Sequence, residues 1–282
     1  MLVRGFGPLA EARARGTAIA AITTYTLEST RAICLAAEQA GAPVIIQAGS
    51  SSAGAVGLDL LAATALAAAE RSVARVGVHL DHATDVDEIR HCLDLGYTSV
   101  MIDGSHLPFE DNVAITSTVV QAARPRGAWV EAELGALAGQ EDLSTAAQPG
   151  GGEFTDPEQA AEFAARTGVD ALAVAVGNVH GLTTAPVRLD LDRLRAIAST
   201  TPTPLVLHGA SGLSDEDLLG AVRCGVVKVN FNAELRRAYL SALASAVSEP
   251  GDDVRRLQRA AIQAMAEVAL AKIRLLGGHA AC

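Results

Sequence analysis

The chain has 282 residues, of which 50% are hydrophobic and 3% aromatic, and its formal net charge is -10. This length and apolar fraction are enough to bury a large core, so one sizeable domain over residues 1–282 fits better than several small ones. The negative charge argues against nucleic acid or an anionic membrane surface as a partner, and an anionic substrate would need local hydrogen-bond donors.

Four cysteines are scattered along the chain and form no CxxC pair. They do not make a disulfide framework, so a reducing, cytoplasmic location is expected. Residues 1–16 mix charged and apolar side chains and lack the continuous apolar segment of a signal peptide. No apolar run reaches the roughly 20 residues of a membrane span, and we expect a soluble protein without a membrane partner.

The predicted elements alternate short apolar strands with longer amphipathic helices. Strands are predicted at residues 17–23, 43–48, 73–82, 99–103, 128–133, 171–176, 204–207 and 226–230. Helices are predicted at residues 8–15, 27–40, 58–71, 85–95, 109–123, 157–167, 191–199, 215–223, 234–247 and 254–276. Residues 134–153 form a long segment rich in Gly, Gln and Ser, which predicts a functional loop.

Nearly continuous apolar strands are typical of parallel sheets that are buried on both faces. Eight strand-then-helix units therefore favour an α/β fold of the (β/α)8 type, a TIM barrel with a long C-terminal helix. An open doubly wound sheet is the alternative, but no GxGxxG follows the first strand and the chain has no obvious break into halves. The C-terminal helix is expected to pack on the barrel wall or on another subunit.

The segment VHLDH at residues 78–82 ends the third predicted strand with an aspartate and a histidine. Asp81 can carry a proton and His82 can bind a metal, and both roles are common in enzymes. The alternative is structural: Asp81 caps the following helix and His82 makes a polar contact at the strand end. The pair by itself does not decide between these interpretations.

Active sites of this barrel collect at the C-terminal ends of the strands, which provides a test. Polar side chains occupy or follow most of the later predicted strand ends: Asp81, His82, Asp103, Glu131, Glu133, His180, His208 and Asn230. A single histidine is more often a hydrogen-bonded structural residue, but three on one rim with nearby carboxylates favour a metal site. Three imidazoles with an open position are a ligand set of catalytic zinc.

Small residues follow two of these histidines. Gly181 follows His180, and the sequence Gly-Ala-Ser-Gly at residues 209–212 follows His208. Backbone amides in such turns can bind an anion without a basic side chain, which would reconcile an acidic protein with a phosphorylated substrate. The alternative is that the glycines serve only the tight turns.

Several segments together resemble the zinc-dependent class II aldolases, in the branch of the fructose- and tagatose-bisphosphate aldolases. They are HLDH at 79–82, GYTSVMIDGSHLPFEDN at 96–112, VEAELG at 130–135, GQED at 139–142, GNVHG at 177–181, LVLHGASGL at 205–213 and KVNFNAELR at 228–236. The resemblance runs over almost the entire chain. It implies a TIM barrel that performs zinc-dependent aldol cleavage.

Residue by residue, the resemblance implies that His82, His180 and His208 bind one catalytic Zn²⁺ per chain. Asp103 and Glu133 match carboxylates near a second or mobile metal position. A monovalent cation is a further candidate cofactor. The expected assembly is a homo-oligomer, either a dimer or a tetramer.

The resemblance also implies the catalytic and substrate-binding residues. Asp81 is the expected proton carrier, and Glu141, in the long loop, is expected to protonate the enediolate carbon when the loop closes. The implied substrate-binding residues are Gly181, Gly209, Ala210, Ser211, Asn230, Phe231, Asn232 and Ala233. The expected reaction is reversible cleavage of a ketose phosphate through a zinc-stabilised enediolate, which releases dihydroxyacetone phosphate, or a similar ketone, and an aldehyde.

The two lysines of the chain, Lys228 and Lys272, bear on an alternative mechanism. Lys228 lies within the eighth predicted strand, which disfavours a Schiff-base reaction. The sequence departs from the family at residues 22–23, 49–52 and 182–185 and at Ala233, where many members have a threonine. All four departures fall on the substrate side, so the aldol machinery is expected to be intact and the substrate to differ from an ordinary sugar bisphosphate.

Two other functions stay open at this point. One is a metal-dependent aldolase that acts on a non-bisphosphate or unphosphorylated substrate. The other is a barrel that binds a sugar phosphate without catalysis, which the presence of Asp81 and of all three histidines disfavours.

Overall fold

The computed structural model describes residues 1–54, 56–137, 152–181, 187–251 and 253–277, and for Ser50 it describes the backbone alone. Eight parallel strands form a closed barrel in chain order, in which the first strand pairs with the eighth. The strands are β1 (Ile19–Thr23), β2 (Val44–Gln47), β3 (Val76–Ala83), β4 (Ser99–Ile102), β5 (Trp129–Leu134), β6 (Ala171–Val174), β7 (Leu205–Leu207) and β8 (Val226–Phe231). The predicted (β/α)8 barrel is confirmed.

Helices surround the barrel. They are α1 (Gly7–Arg15), α2 (Leu27–Ala40), α3 (Ser50–Ala53), α4 (Leu58–Arg71), α5 (Val86–Leu95), α6 (Phe109–Ala123), α7 (Pro157–Thr167), α8 (Leu191–Thr200), α9 (Asp215–Arg223), α10 (Ala233–Ser248) and α11 (Val254–Leu276). A 3-10 turn, Arg124–Arg126, follows α6. Every predicted helix is present.

Helix α2 shows how local chemistry sets these ends. Thr26 accepts a hydrogen bond from the backbone N–H of Ser29, whose side chain accepts one from the backbone of Thr26, so a capping box starts the helix. Gly41 ends α2 in the left-handed conformation, with φ of 62°. Helix α11 packs against α2, α10 and β1, so the C-terminal helix lies on the barrel wall.

Two hydrophobic clusters fill the fold. The larger one lies between the sheet and the helices, and the smaller one lies inside the barrel. In the smaller cluster the indole of Trp129 packs edge-on against Phe6 and stacks on the imidazole of His79, with centroid distances of 5.6 and 5.1 Å. Among the described residues, no helix is long and apolar enough to cross a membrane.

The structure differs from the prediction at the third strand. Val73 is 85% exposed, and β3 begins only at Val76 because a strand needs hydrogen-bonded neighbours as well as apolar residues. The strand continues past the predicted end to Ala83, with a register shift against β4 between Leu80 and Ala83.

The predicted loops after β2 and β5 also differ from the structure. Residues 50–53 form the short helix α3 inside the predicted loop 49–57. In the long segment 134–153, Leu134 completes β5, and Ala136 pairs with Glu153 in an isolated antiparallel bridge. Residues 138–151 lie outside the described residues, and Glu141 is among them.

Candidate active site

Three histidines from distant parts of the chain meet at the C-terminal end of the barrel. His82 lies on β3, His180 follows β6 and His208 follows β7. One ring nitrogen of each lies within 4.8 Å of the others, and the group could hold a metal ion. The ring centroid of His82 is 4.9 Å from that of His180 and 4.6 Å from that of His208. The fold thus brings the three predicted metal ligands together.

The backbone at His82 breaks the regular alternation of side chains along β3. Among the described residues, His82 is the only one other than glycine in the left-handed region, with φ of 47°. In a regular strand, neighbouring side chains point to opposite faces. The irregularity at Asp81 and His82 allows both side chains to reach site residues. Such conformations are uncommon for residues other than glycine and concentrate at functional sites.

A carboxylate contacts one ring nitrogen of His82. The Nδ1 of His82 lies 2.9 Å from Oδ2 of Asp103, at the end of β4. Burial by itself would raise the pKa of Asp103, but the hydrogen bond from His82 lowers it overall, so the carboxyl is ionised. An ionised carboxylate can only accept, so Nδ1 carries the proton and Nε2 is the nitrogen with a lone pair.

A second carboxylate contacts one ring nitrogen of His208. Its Nε2 lies 2.6 Å from Oε1 of Glu131, and its Nδ1 lies 2.8 Å from Nε2 of His82. Burial would raise the pKa of Glu131, but the nearby charge of Lys228 and the bond to His208 lower it overall. Both imidazoles therefore aim a nitrogen lone pair at the same small volume. Two ring nitrogens at this distance can share a proton or bind the same metal ion.

These residues fit a zinc ion. Neutral imidazoles whose other nitrogen is bonded to a carboxylate are a common arrangement at zinc sites, because the carboxylate fixes the tautomer and the ring orientation. His82 and His208 have this arrangement, and His180 supplies the third imidazole.

Glu131 and Glu133 occupy different places, although the sequence put both at the rim. Glu131 lies in the middle of β5, inside the barrel, where Oε2 is 2.8 Å from Nζ of Lys228. The prediction that Glu131 lies at the rim of the barrel was wrong, because β5 extends through Leu134. Glu133 is nearer the rim, and its Oε2 lies 3.7 Å from Nδ1 of His208.

Glu133 also lies near His82. Its Oε2 is 4.0 Å from Nδ1 of His82, and these two residues with Asp103 form a second group that could hold a metal ion. Burial, together with the charge of Asp103, raises the pKa of Glu133 to about 7. The two carboxylates that were predicted near a second metal position therefore both face His82.

Asp81 is held by two amides. Nε2 of Gln47, at the end of β2, donates to Oδ2 of Asp81 over 2.6 Å, and Nδ2 of Asn230, on β8, donates to Oδ1 over 3.2 Å. The alternative interpretation of Asp81 as a helix cap is wrong, because Asp85 caps α5 and accepts from the backbone N–H of Asp87. Asp81 thus presents an oriented carboxylate next to the histidines.

The turn after His208 depends on close backbone contact. A Cβ at Gly209 would lie 2.4 Å from the carbonyl oxygen of Val179, and φ of Gly209 is 59°, so this position requires glycine. Ala210 and Ser211 are buried. The N–H of Gly212 donates to Oε1 of Glu234 over 2.8 Å, which occupies this amide. Gly181, after His180, also has a positive φ.

Residues 231–233, at the end of β8 and after it, lie partly in the site and partly in the hydrophobic core. Asn232 is buried, and its Oδ1 accepts from the hydroxyl of Tyr25 over 2.7 Å. Phe231 lies in the hydrophobic core, with Nζ of Lys272 5.3 Å from its ring centroid, which leaves only its main chain for the predicted substrate contact. Ala233 is buried and begins α10.

Sequence reasoning did not place Gln47, Lys228 or Tyr25 in the site. Gln47 is the polar last residue of the strand VIIQ, so the same rule that found Asp81 would have found it. Lys228 is two residues before Asn230 and therefore on the same face of β8. For Tyr25, we find no sequence signal.

Comparison with known proteins places these residues in a family. The sequence profile described as "Fructose-bisphosphate aldolase class-II" matches residues 7–280. The chain belongs to the class II fructose-bisphosphate aldolase family. This aldolase is therefore a carbon-carbon lyase, and a barrel that binds without catalysis is disfavoured.

Solved structures agree with this assignment. The YdjI aldolase from Escherichia coli K12 is similar over 98% of each chain, with 32% identity and a TM-score of 0.85. A putative fructose-1,6-bisphosphate aldolase from Coccidioides immitis is similar over 97% of this chain and 96% of its own, with 34% identity and a TM-score of 0.87. The fructose-bisphosphate aldolase from Campylobacter jejuni, at 24% identity over 98% of this chain and 95% of its own, shares the fold, with a TM-score of 0.80.

Some expectations for this aldolase have no structural test. Glu141 and residues 182–185 lie outside the described part of the chain. The single domain over residues 1–282, the cytoplasmic location, the monovalent cation and the homo-oligomer stay predictions.

Proposed function

We propose that this aldolase is a zinc enzyme that reversibly cleaves a ketose phosphate into dihydroxyacetone phosphate, or a similar ketone, and an aldehyde. The observation that carries the proposal is the convergence of three imidazoles. One carboxylate contacts Nδ1 of His82, and another contacts Nε2 of His208. The family supplies aldol cleavage and a sugar phosphate as the substrate class.

In this proposal His82, His180 and His208 hold the zinc. When bound, zinc supplies a Lewis acid that stabilises negative charge on the oxygen of the substrate ketone. Asp103 and Glu133 are proposed to form, with His82, the second or mobile metal position, which the second candidate metal group supports.

Asp81 is the proposed proton carrier. In the cleavage direction it takes the proton from the hydroxyl on the carbon beside the breaking bond, and in the synthetic direction it returns this proton. Two amide donors orient its carboxylate, so the oxygen that receives the proton has a fixed position. Glu141 is proposed to deliver a proton to the carbon of the donor ketone.

Backbone amides are proposed to bind the substrate phosphate, because no lysine or arginine occurs at 181, 209–211 or 230–233. The proposed donors are the amides of Gly181, Gly209, Ala210, Ser211 and Asn232, and Asn230, Phe231 and Ala233 complete the substrate contacts. A phosphate can be held by backbone N–H groups alone when several converge.

The proposal is tested with metal analysis and a substrate panel. The purified aldolase is stripped with a chelator and reloaded with zinc, and retro-aldol activity is measured on ketose monophosphates, ketose bisphosphates and unphosphorylated ketoses. We expect about one zinc per chain in the catalytic site and zinc-dependent cleavage of at least one ketose phosphate. Activity that survives complete removal of metal would refute the zinc role. Cleavage of unphosphorylated ketoses alone would refute the phosphate requirement.

A further inference from the structure

Lys228 is fully buried inside the barrel and contacts residues from both halves of the site. Its Nζ donates to Oδ1 of Asn230 over 2.8 Å and lies 2.8 Å from Oε2 of Glu131. Asn230 donates to Asp81, and Glu131 accepts from His208. One buried ammonium therefore lies between the proposed proton carrier and a proposed zinc ligand.

We propose that Lys228 is a positioning residue that anchors the amide of Asn230, and through it Asp81, and that holds the carboxylate of Glu131 against His208. The inference rests on the proposed roles of Asp81 and His208. It assigns the lysine of β8 a role other than that of a Schiff-base nucleophile.

The first half of the proposal follows from the donor and acceptor rules. The oxygen and nitrogen of an asparagine amide have nearly the same shape, so the side chain can turn over. An ammonium group only donates, so Lys228 selects the orientation in which Oδ1 of Asn230 faces it. The NH₂ group then faces the carboxylate of Asp81, at 3.2 and 3.5 Å from its two oxygens. Without the ammonium, Oδ1 of Asn230 loses its donor, and the amide is held in this orientation from the side of Asp81 alone.

The second half follows from charge. Glu131 is fully buried, and an unpaired carboxylate in such a place is expensive. Lys228 compensates its charge, so Glu131 stays an acceptor for the Nε2–H of His208. The nitrogen that faces His82 then keeps its lone pair for a metal. Without Lys228, Oε2 of Glu131 would lose this ammonium, and the carboxylate would no longer be held in place against His208.

The surroundings support a purely orienting role. His79 also lies beside Glu131, with Nε2 3.7 Å from Oε2, and its ring is stacked on Trp129. Burial, and then the charge of Lys228, hold the pKa of His79 well below its usual range, so this histidine adds no competing positive charge. Lys228 is thus the cation that Glu131 pairs with among the described side chains around it.

The test compares Lys228→Met with the double variant Lys228→Met/Glu131→Gln. The double variant leaves no buried charge unpaired, and its new amide oxygen can still accept from Nε2 of His208. Leu194→Ala, a buried change on α8, serves as a control for general loss of stability. Zinc affinity is measured by chelator competition, and kcat and KM are measured separately by retro-aldol assay.

We expect Lys228→Met to bind zinc at least tenfold more weakly, because Glu131 no longer holds His208, and to lower kcat at least tenfold. The double variant should regain most of the zinc affinity, because it leaves no buried charge unpaired, while kcat stays at least tenfold low because Asn230 is still unanchored. If Lys228→Met does not fold, the double variant carries the test through its zinc affinity and kcat.

Two results would overturn the proposal. The first is a Lys228→Met variant with the wild-type zinc affinity and kcat. The second is a double variant that either regains wild-type kcat or loses no more activity than Leu194→Ala. Failure of the unmodified protein to bind zinc would instead refute the proposed function, and kcat of the variants relative to the unmodified protein would still test the positioning by Lys228.

Discussion

Asp103 and His82 face each other across the ends of β4 and β3, with Oδ2 of the carboxylate 2.9 Å from Nδ1 of the imidazole. The contact leaves Nε2 of His82 directed at Nδ1 of His208, 2.8 Å away. The carboxylate therefore orients a proposed zinc ligand from behind, whether or not it also binds a second metal ion.

Replacement of this carboxylate should weaken the metal site. We expect Asp103→Ala to bind zinc roughly 10- to 100-fold more weakly, because loss of a carboxylate behind a histidine ligand commonly has this effect. Asp111→Ala, an exposed change on α6, is the control and should leave zinc affinity unchanged. The measurement is chelator competition on both variants. Equal affinities for Asp103→Ala and the unmodified protein would show that the contact is incidental.

Removal of the proposed proton carrier should affect chemistry more than structure. We expect Asp81→Ala to keep its zinc and its fold but to lose carbon-carbon cleavage by about a hundredfold or more, the usual size of a general acid-base contribution. Exchange of the donor-ketone proton with solvent should fall less, because it does not need this carboxylate. Kinetics of both reactions, followed in deuterated water, provide the check, and an equal fall in both would mean that Asp81 only maintains the site.

Gln47 should influence the rate through Asp81. It donates to Oδ2 over 2.6 Å, and hydrogen bonds to charged groups are worth roughly 1.5–3 kcal/mol, so Gln47→Leu should lower kcat by about tenfold or more. Gln258→Leu is a matched control. Gln258 lies on α11, far from Gln47 in the sequence, and likewise donates to a carboxylate, that of Glu28, over 2.9 Å. Steady-state kinetics should show the loss only for Gln47→Leu, and similar kinetics for the two variants would contradict the role.

The backbone beside Asp81 should not tolerate a side chain at Gly49. A Cβ there would lie 2.8 Å from the carbonyl oxygen of Asp81, so Gly49→Ala must shift the residue that carries the proton. We expect cleavage to fall by about tenfold or more, since small misplacements of reacting groups are costly. Gly7→Ala, where a Cβ meets nothing within 4 Å, should keep full activity. Assays of both proteins at equal folded concentration decide the point.

We expect the substrate-binding residues of this aldolase to bind sugar bisphosphates weakly. Ala233 lacks a hydroxyl, and each lost hydrogen bond to a charged group corresponds to roughly tenfold or more in affinity. We therefore expect poor turnover of fructose and tagatose 1,6-bisphosphate, and tighter binding of dihydroxyacetone phosphate by Ala233→Thr. Calorimetry and retro-aldol assays test both. Efficient cleavage of a bisphosphate by the unmodified protein would show that the departures from the family are neutral.

The sequence determined the order of the elements, the barrel and the three histidines of the site. Hydrophobic runs, caps and glycine stops are local features, so they are legible without knowledge of the fold. The rule that strand ends converge then placed His82, His180 and His208 on one rim. Resemblance to the family added the expected chemistry.

Only the tertiary structure decided which partner each polar group has. Glu131 looked like a rim residue, yet barrel closure puts it beside Lys228 in the interior. The two amides that donate to Asp81 lie on β2 and β8, in residues that are 34 and 149 positions away along the chain. Such pairs depend on strand register and on the backbone break at His82, where φ is 47°, and neither leaves a periodic signal in the sequence.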